Sequence, residues 1–329
     1  MKTRRLCTLL LTGCLLAACA RGRNTGGNMP DTSAQDAGPV SIETLRIVTY
    51  QTEGADEALT EGLGTFIKNG LQSNGIEVGE VTFTTADPAR CAEALIGGNA
   101  DIVLLPATQY VVYSDSLVKG VLTAGEGTDA EHLTSGGQAG IYAAASERGQ
   151  AIAQKAASGA EITWEDLDDC VWAVASSSDL AGYIYPNYWL YQNYQKGIPS
   201  LSFALTLDET DAIRRAAAGQ IDILVCAEST LEAHAAMWST DLAHQTPIEE
   251  ELTQIAATGI LPGDVLCVGA ENEDLSSDKF CEALTEVFQI MAYAEQAQPF
   301  FAAYGFTGFM PADTEAYAAL LEAMRRASQ

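Results

Sequence analysis

Gly98-Asn99-Ala100-Asp101-Ile102-Val103-Leu104 and Gly219-Gln220-Ile221-Asp222-Ile223-Leu224-Val225 are two versions of one pattern, and they decide the fold. Each begins with a Gly where a helical segment stops, the place a left-handed residue is favoured. Three residues after the Gly an Asp opens an apolar run without polar alternation, as expected of a strand buried on both faces. One copy lies in each half of the chain, which implies two αβ lobes. Chance similarity is the alternative, since helix–Gly–strand units are common.

Outward from these anchors, strand and helix alternate. Thr44 to Tyr50 (TLRIVTY) alternates and is β-branched, so it reads as a first strand. Leu59, Leu63, Phe66, Ile67 and Leu71 recur at helical spacing. Val78 to Thr84 reads as a second strand, Pro88 to Ile96 as a short helix and Asp101 to Leu105 as a third strand. Further strands are expected at Ile141–Ala145, Val171–Ala175, Leu201–Leu207, Ile221–Ala227 and Val265–Gly269, with terminal helices over Phe280–Ala294 and Thr314–Arg326. This order predicts an α/β protein with parallel or mixed sheets.

The amino terminus carries an export signal. Lys2, Arg4 and Arg5 precede the apolar run Leu6 to Leu16, which is shorter than the roughly 20 residues needed to cross a bilayer. It reads as a secretory signal peptide over residues 1–18. Leu16-Ala17-Ala18-Cys19 resembles a bacterial lipobox, with Cys19 as the acylated residue. Leu11-Thr12-Gly13-Cys14 also fits, but it would leave an apolar remnant outside the membrane. Residues 19–43 are rich in Gly, Asn, Pro, Ser and Thr and read as a flexible tether. The implied location is the outer face of the cytoplasmic membrane, anchored through Cys19. The formal charge of −27 argues against nucleic acid as a partner. Beyond Cys19 the exported chain keeps Cys91, Cys170, Cys226, Cys267 and Cys281, too scattered for a disulfide framework. Buried free thiols are expected, with room for one disulfide.

Four segments occur in an order that resembles the phosphate/phosphite/phosphonate-binding proteins of ABC importers. They are the paired helix–Gly–strand units, Ser176-Ser177-Ser178-Asp179-Leu180-Ala181-Gly182-Tyr183-Ile184-Tyr185-Pro186, Leu261-Pro262-Gly263-Asp264, and Gly305-Phe306-Thr307-Gly308-Phe309-Met310-Pro311-Ala312-Asp313. The resemblance implies the two-lobed type II periplasmic-binding-protein fold, with a mixed, mainly parallel sheet in each lobe and a ligand cleft between. It places lobe one at 44–140 and 264–329, and lobe two at 141–263. It also implies a monomer, no cofactor, a small-molecule ligand, an ABC permease as partner, and capture by hinge closure.

The serine-rich turn follows a strand and precedes a helix, so free N–H groups and the helix dipole face whatever sits there. Family members bind phosphonate oxygens at the matching turn. Gly182 and Pro186 keep the family spacing, but Asp179, Leu180 and Ala181 stand where hydroxyl residues belong. Asp179 would repel a phosphonate, unless Ser176, Ser177 and Ser178 replace the lost hydroxyls; its plain alternative is a helix cap. Glu209 falls where members place an anion-binding His, and Asp264 matches an acidic position that holds the amine of an aminophosphonate. Glu228 matches another. The expected ligand is therefore cationic or zwitterionic rather than a phosphonate. Glu209 also reads as a first-turn helix acid, and Asp264 as a turn residue after Pro-Gly. Tyr183 leads an aromatic run that suits either a cation or core packing. Tyr50 and Thr108 follow strand ends, where α/β sheets bind ligands.

Nothing points to an enzyme or a metal centre. His132, His234 and His244 are the only histidines and sit in no nucleophile motif; His234 with Glu228 and Cys226 fits no common ligand spacing. GxSxG, Walker and HExxH patterns are all missing from the sequence. A ligand-sensing surface lipoprotein that signals to a membrane partner is the alternative function.

Overall fold

Asp101 and Asp222, the acids that open the paired apolar runs, make the same bonds in two different sheets. Asp101 accepts the Arg46 N–H at 2.7 Å and returns its own N–H to the Arg46 carbonyl at 2.9 Å. Asp222 accepts the Val171 N–H at 2.7 Å and returns its N–H to the Val171 carbonyl at 2.8 Å. The preceding helices end alike too. Gly98 and Gly219 are left-handed at φ 69° and 65°, and Asn99 and Gln220 donate to the carbonyls of Ala94 and Arg215 at 2.8 and 2.9 Å. The six-to-one bond after a left-handed Gly closes a helix and aims the chain into a strand.

The computed structural model describes residues 40–114, 116–312 and 314–327. The signal peptide, Cys19 and most of the tether lie outside the described residues. In chain order the strands are β1 (Val40–Tyr50), β2 (Ile76–Ala86), β3 (Ile102–Leu105), β4 (Val118–Gly127), β5 (Leu133–Thr134), β6 (Gln138–Ala143), β7 (Trp172–Val174), β8 (Ala204–Thr206), β9 (Ile223–Ala227), β10 (Thr253–Ile260), β11 (Val265–Gly269) and β12 (Gly308–Pro311). They form a first sheet in the order β12-β4-β11-β3-β1-β2, with β5 on β4, and a second in the order β10-β6-β9-β7-β8.

Both sheets are mixed, and most of their strands share one direction, as expected from the sequence. In the first, β1 to β4 run one way and β5, β11 and β12 against them. In the second, β7 to β10 run together and β6 opposes them. The opposed strands β5, β6 and β11 adjoin the places where the chain passes between sheets, from β5 to β6 and from β10 to β11, without a helical crossover.

Period-two alternation divides each strand between two cores. Leu45, Ile47, Ile102 and Leu104 face one side of the first sheet, and Val48, Val103 and Leu105 the other. In the second sheet Tyr142, Leu224 and Cys226 face one core, and Ile141, Trp172, Ile223 and Val225 the other. All five described cysteines are free thiols; four are buried and Cys281 is half-buried.

Several boundaries differ from the sequence reading, and three of them have a clear cause. Residues 40–43, read as tether, are already strand, because Val40 and Ile42 pair with Ile76 and Val78. The strand expected over Leu201–Leu207 shrinks to Ala204–Thr206 at a sheet edge, where only β7 supplies partners. β6 begins at Gln138, ahead of the expected Ile141, since Gln138 pairs with Ile260.

Asp222 is 8% exposed, and its other oxygen accepts the Ser146 hydroxyl at 2.5 Å. Asp222→Ala strands both donors, so it is expected to lower unfolding free energy by about 3 kcal/mol. Urea titration measures this. A loss below about 0.5 kcal/mol would show that the Asp222 bonds add nothing net.

Candidate functional site

The strand ends of the first sheet bring two expected site residues into contact. β1 ends at Tyr50, and Thr49 lies opposite Leu104 of β3. Val265 of β11 lies opposite Leu105, so Asp264 falls just past the rim. The Tyr50 hydroxyl donates to Asp264 Oδ2 at 2.5 Å. The Ala107 N–H, at the start of the helix Ala107–Tyr113, also reaches the Asp264 carboxyl. Thr108 is the next residue of that helix and is half-buried.

Burial pushes the Asp264 carboxyl above its ordinary value, and the bonds from Tyr50 and Ala107 only partly offset this. Tyr50 is pushed up as well, by burial first and then by the charge of Asp264. Tyr304, which pattern reading missed, completes the cluster. Its hydroxyl donates to the Tyr50 carbonyl at 3.0 Å and shares a hydrogen bond with the Thr49 hydroxyl at 2.7 Å. Its ring meets that of Tyr50 edge-on, with centroids 5.1 Å apart. The available signal was its place directly before the left-handed Gly305.

The corresponding end of the second sheet is acidic. After β7 the turn Ser176–Asp179 is exposed, with the Ser176 and Ser178 hydroxyls 3.1 Å apart. Asp179 Oδ1 accepts the Gly182 N–H at 2.6 Å, so Asp179 caps the π-helical segment Leu180–Ile184 that runs into the helix Tyr185–Tyr194. Glu209 opens the helix Glu209–Ala217, and its Oε1 accepts from the Thr230 hydroxyl at 3.1 Å. Cys226 is pushed up by burial first, then by the charges of Glu209 and Asp179. The two acids therefore share one end of the sheet.

Glu228 opens the helix Glu228–Thr240 and is exposed. The aromatic run is spent largely on packing. Tyr183 lies half-buried against a second-sheet core, Tyr185 presses on Gly259, and the Arg326 guanidinium covers the Tyr191 ring at 5.1 Å. His234 bonds to the Thr230 carbonyl and the Thr210 hydroxyl.

Beside Asp264 lies a cavity of about 160 Å³ lined by Glu126, Ser229, Asp264, Tyr304 and Phe306, among others, while Ser176–Asp179, Glu209 and Glu228 do not line it. Its remaining lining includes Gly136, Gly137 and Leu261–Gly263, the segments that pass between the sheets. These segments are bonded to each other, Leu261 N–H to the Gly137 carbonyl at 2.9 Å. Glycine is required here. Gly136 has φ 58°, and a Cβ on it would meet the Leu261 oxygen at 1.7 Å. Glu126 and Ser229 belong to the cavity but not to the sequence-derived candidates, because nothing in their local pattern marks them.

Residues 47–317 match a family model described as ABC transporter, phosphonate, periplasmic substrate-binding protein. A Xanthomonas citri protein solved bound to ATP gives a TM-score of 0.58 at 14% identity, covering 87% of this chain and 98% of that one. PhnD1 of Prochlorococcus marinus, in complex with methylphosphonate, gives 0.51 at 11% identity, covering 87% and 98%. Transferrin 1 of Manduca sexta gives 0.55 at 11% identity, covering 87% of this chain and 47% of that one. Identities this low bear on fold alone. No curated protein matches.

The raised Asp264 gives a signed pH dependence. A folded chain that holds this proton more tightly than the unfolded chain is stabilised at low pH, and the contribution is lost as pH rises through the folded-state value. Stability from this group is thus expected to be fully present below the ordinary 3.8 and to fall above it. Asp264→Asn should flatten that fall in urea titrations run at a series of pH values. Parallel profiles for the two proteins would refute the assignment.

Proposed function

The chain belongs to the periplasmic substrate-binding proteins of phosphonate ABC transporters, and from that premise we propose that it is a lipid-anchored receptor whose cleft captures a small cationic or zwitterionic ligand. Family membership makes it a substrate-binding protein that serves an ABC permease. The finer reading rests chiefly on one observation, the buried Asp264 carboxyl at a cavity that Ser229, in the helix after β9, also lines.

Lobe one is assigned to 44–140 and 264–329 and lobe two to 141–263. Among the described residues the chain passes between the sheets in the stretches before β6 and after β10, which supports closure by rotation about them. Tyr50, Thr108 and Asp264 would meet the ligand from lobe one. Asp179, Glu209, Glu228 and the serines 176–178 would form the opposing rim, with Tyr183 behind it. Cys19 would carry the lipid, holding a monomer at the outer face of the cytoplasmic membrane. Among the described residues no helix is long and apolar enough to cross a membrane.

The charge pattern supports the ligand class. The residues lining the cavity include two carboxylates, and no Lys, Arg or His. An anionic ligand would add like charge to this acidic surface, which is costly.

Thermal-shift titration of the purified protein against methylphosphonate, phosphate, ethanolamine and β-alanine tests this. A ligand that binds only the folded state adds about 2.7 kcal/mol at a hundred times its Kd. Stabilisation by ethanolamine or β-alanine is expected. Stabilisation by methylphosphonate or phosphate alone would sink the proposed ligand class while leaving the receptor role intact.

A further inference from the structure

Asp264 sits on the turn Pro262-Gly263-Asp264, and two bonds to the backbone of that turn hold it from opposite sides. From β4 the Ala124 N–H bonds the Asp264 carbonyl at 2.7 Å. Gly263 lies so close to this strand that a Cβ on it would run into the Ala124 carbonyl oxygen. From the other side comes Tyr317, buried at 4% exposure in the helix Thr314–Ala327. Its hydroxyl donates to the Gly263 carbonyl at 2.8 Å.

A phenol has one proton to give. With that proton on the Gly263 carbonyl, the Thr123 hydroxyl, 2.5 Å away, donates to the Tyr317 oxygen. Thr123 is itself buried, and the Tyr110 ring meets the Tyr317 ring edge-on with centroids 4.9 Å apart. The phenol is thus held at its oxygen and at its ring. Its helix is braced as well, by the buried Leu320 and Ala323 and by packing on the helices Ala107–Tyr113 and Tyr185–Tyr194. Burial pushes the Tyr317 phenol up, with the charge of Asp264 among the smaller causes, so the two groups lie within electrostatic reach. Packing alone would be served by a phenylalanine.

We propose that Tyr317 is a positioning residue for ligand binding: its hydroxyl, bonded to the Gly263 carbonyl, holds the turn that presents Asp264 to the cavity. Tyr317 does not line that cavity and acts through Asp264. The role rests on the reading of Asp264 as the carboxylate that meets the ligand.

The test is a set of urea titrations at a series of pH values on wild-type protein, Tyr317→Phe, Asp264→Asn and the double variant. Stability that comes from the raised Asp264 is lost as pH rises. Without the Tyr317 hydroxyl the turn loosens, water reaches the carboxyl, and that fall becomes shallower. Tyr317→Phe is therefore expected to flatten the profile, and to add no further flattening beside Asp264→Asn. Tyr50, Tyr304 and Tyr317, the phenols that feel the Asp264 charge, are all pushed up and stay protonated in the acid range. Glu126, the other acid at the cavity, is common to all four proteins. A Tyr317→Phe profile that is lowered but parallel to wild type would reduce the hydroxyl to a structural bond and overturn the proposal. Calorimetric titration with ethanolamine gives a second readout. Loss of the hydroxyl is expected to weaken binding by about tenfold, the cost of one unmade bond; unchanged affinity would count equally against the role. Wild-type protein that binds no ethanolamine would sink the ligand class proposed above, and the pH profiles then decide Tyr317 by themselves. Should Tyr317→Phe fail to fold, Thr123→Val removes the hydroxyl that donates to the phenol. It is expected to flatten the profile in the same direction, and a parallel profile there would refute the role.

Discussion

Two buried carboxylates set the register on which the rest of the molecule depends. A carboxylate withdrawn from water must recover its hydrogen bonds or destabilise the fold. Asp101 and Asp222 recover theirs from the neighbouring backbone, from Arg46 within β1 and from Val171 just before β7, and each returns a bond from its own backbone. A slip of one residue would break both bonds and turn the apolar set onto the wrong face. The consequence travels the length of the first sheet. With Asp101 fixed on Arg46, Thr49 falls opposite Leu104, Leu105 opposite Val265, and Tyr50 within reach of Asp264. The proposed site is thus set by bonds at the far end of the strands that carry it.

What the sequence made legible follows from how each strand is stabilised. Ile102–Leu105 and Ile223–Ala227 lie inside their sheets, so their apolar runs are long enough to be read without tertiary information. β4, β10 and β12 escaped that reading. β4 contains Gly120 and Gly125, which weaken any local strand preference. Their value appears only in the folded chain, where Gly120 admits the Tyr110 hydroxyl and Gly125 the Leu133 side chain. The end of the tether was misjudged for a related reason. Val40 and Ile42 gain their strand character from pairing with β2, which begins far along the chain at Ile76.

The site divides along the same line. Tyr50 and Asp264 were legible because a strand end and a Pro-Gly-Asp turn are local features. Tyr304, Glu126 and Ser229 reach the cavity through separate elements, and their neighbours in sequence say nothing of it. Asp179 was legible as a cap or as a ligand contact, and the structure shows the cap. The two roles are linked, because the carboxylate that satisfies the Gly182 N–H also withholds that donor from any incoming anion. The aromatic run after it was ambiguous for want of tertiary context. Helix Tyr185–Tyr194 lies between β10 and the helix Thr314–Ala327, so most of its rings face protein and few face the cleft.

Charge pairing elsewhere in the chain gives Asp264 its meaning. At Asp166 the chain supplies a counter-ion, Lys155 Nζ at 2.6 Å, and the carboxyl is held below its ordinary range. At Asp101 the guanidinium of Arg46 does the same pairing at 2.7 Å. At Asp264 the donors are a phenol and a backbone N–H, both neutral, and desolvation outweighs them. Neutral donors orient a carboxyl without balancing its charge. A buried carboxyl arranged this way gains most from a partner that arrives with a full positive charge, because the attraction is strongest where water is excluded. The same carboxyl paired internally, as Asp166 is, would have little left to offer a ligand. The contrast between these carboxylates, more than any motif around Asp264, is what makes it the centre of the proposed cleft.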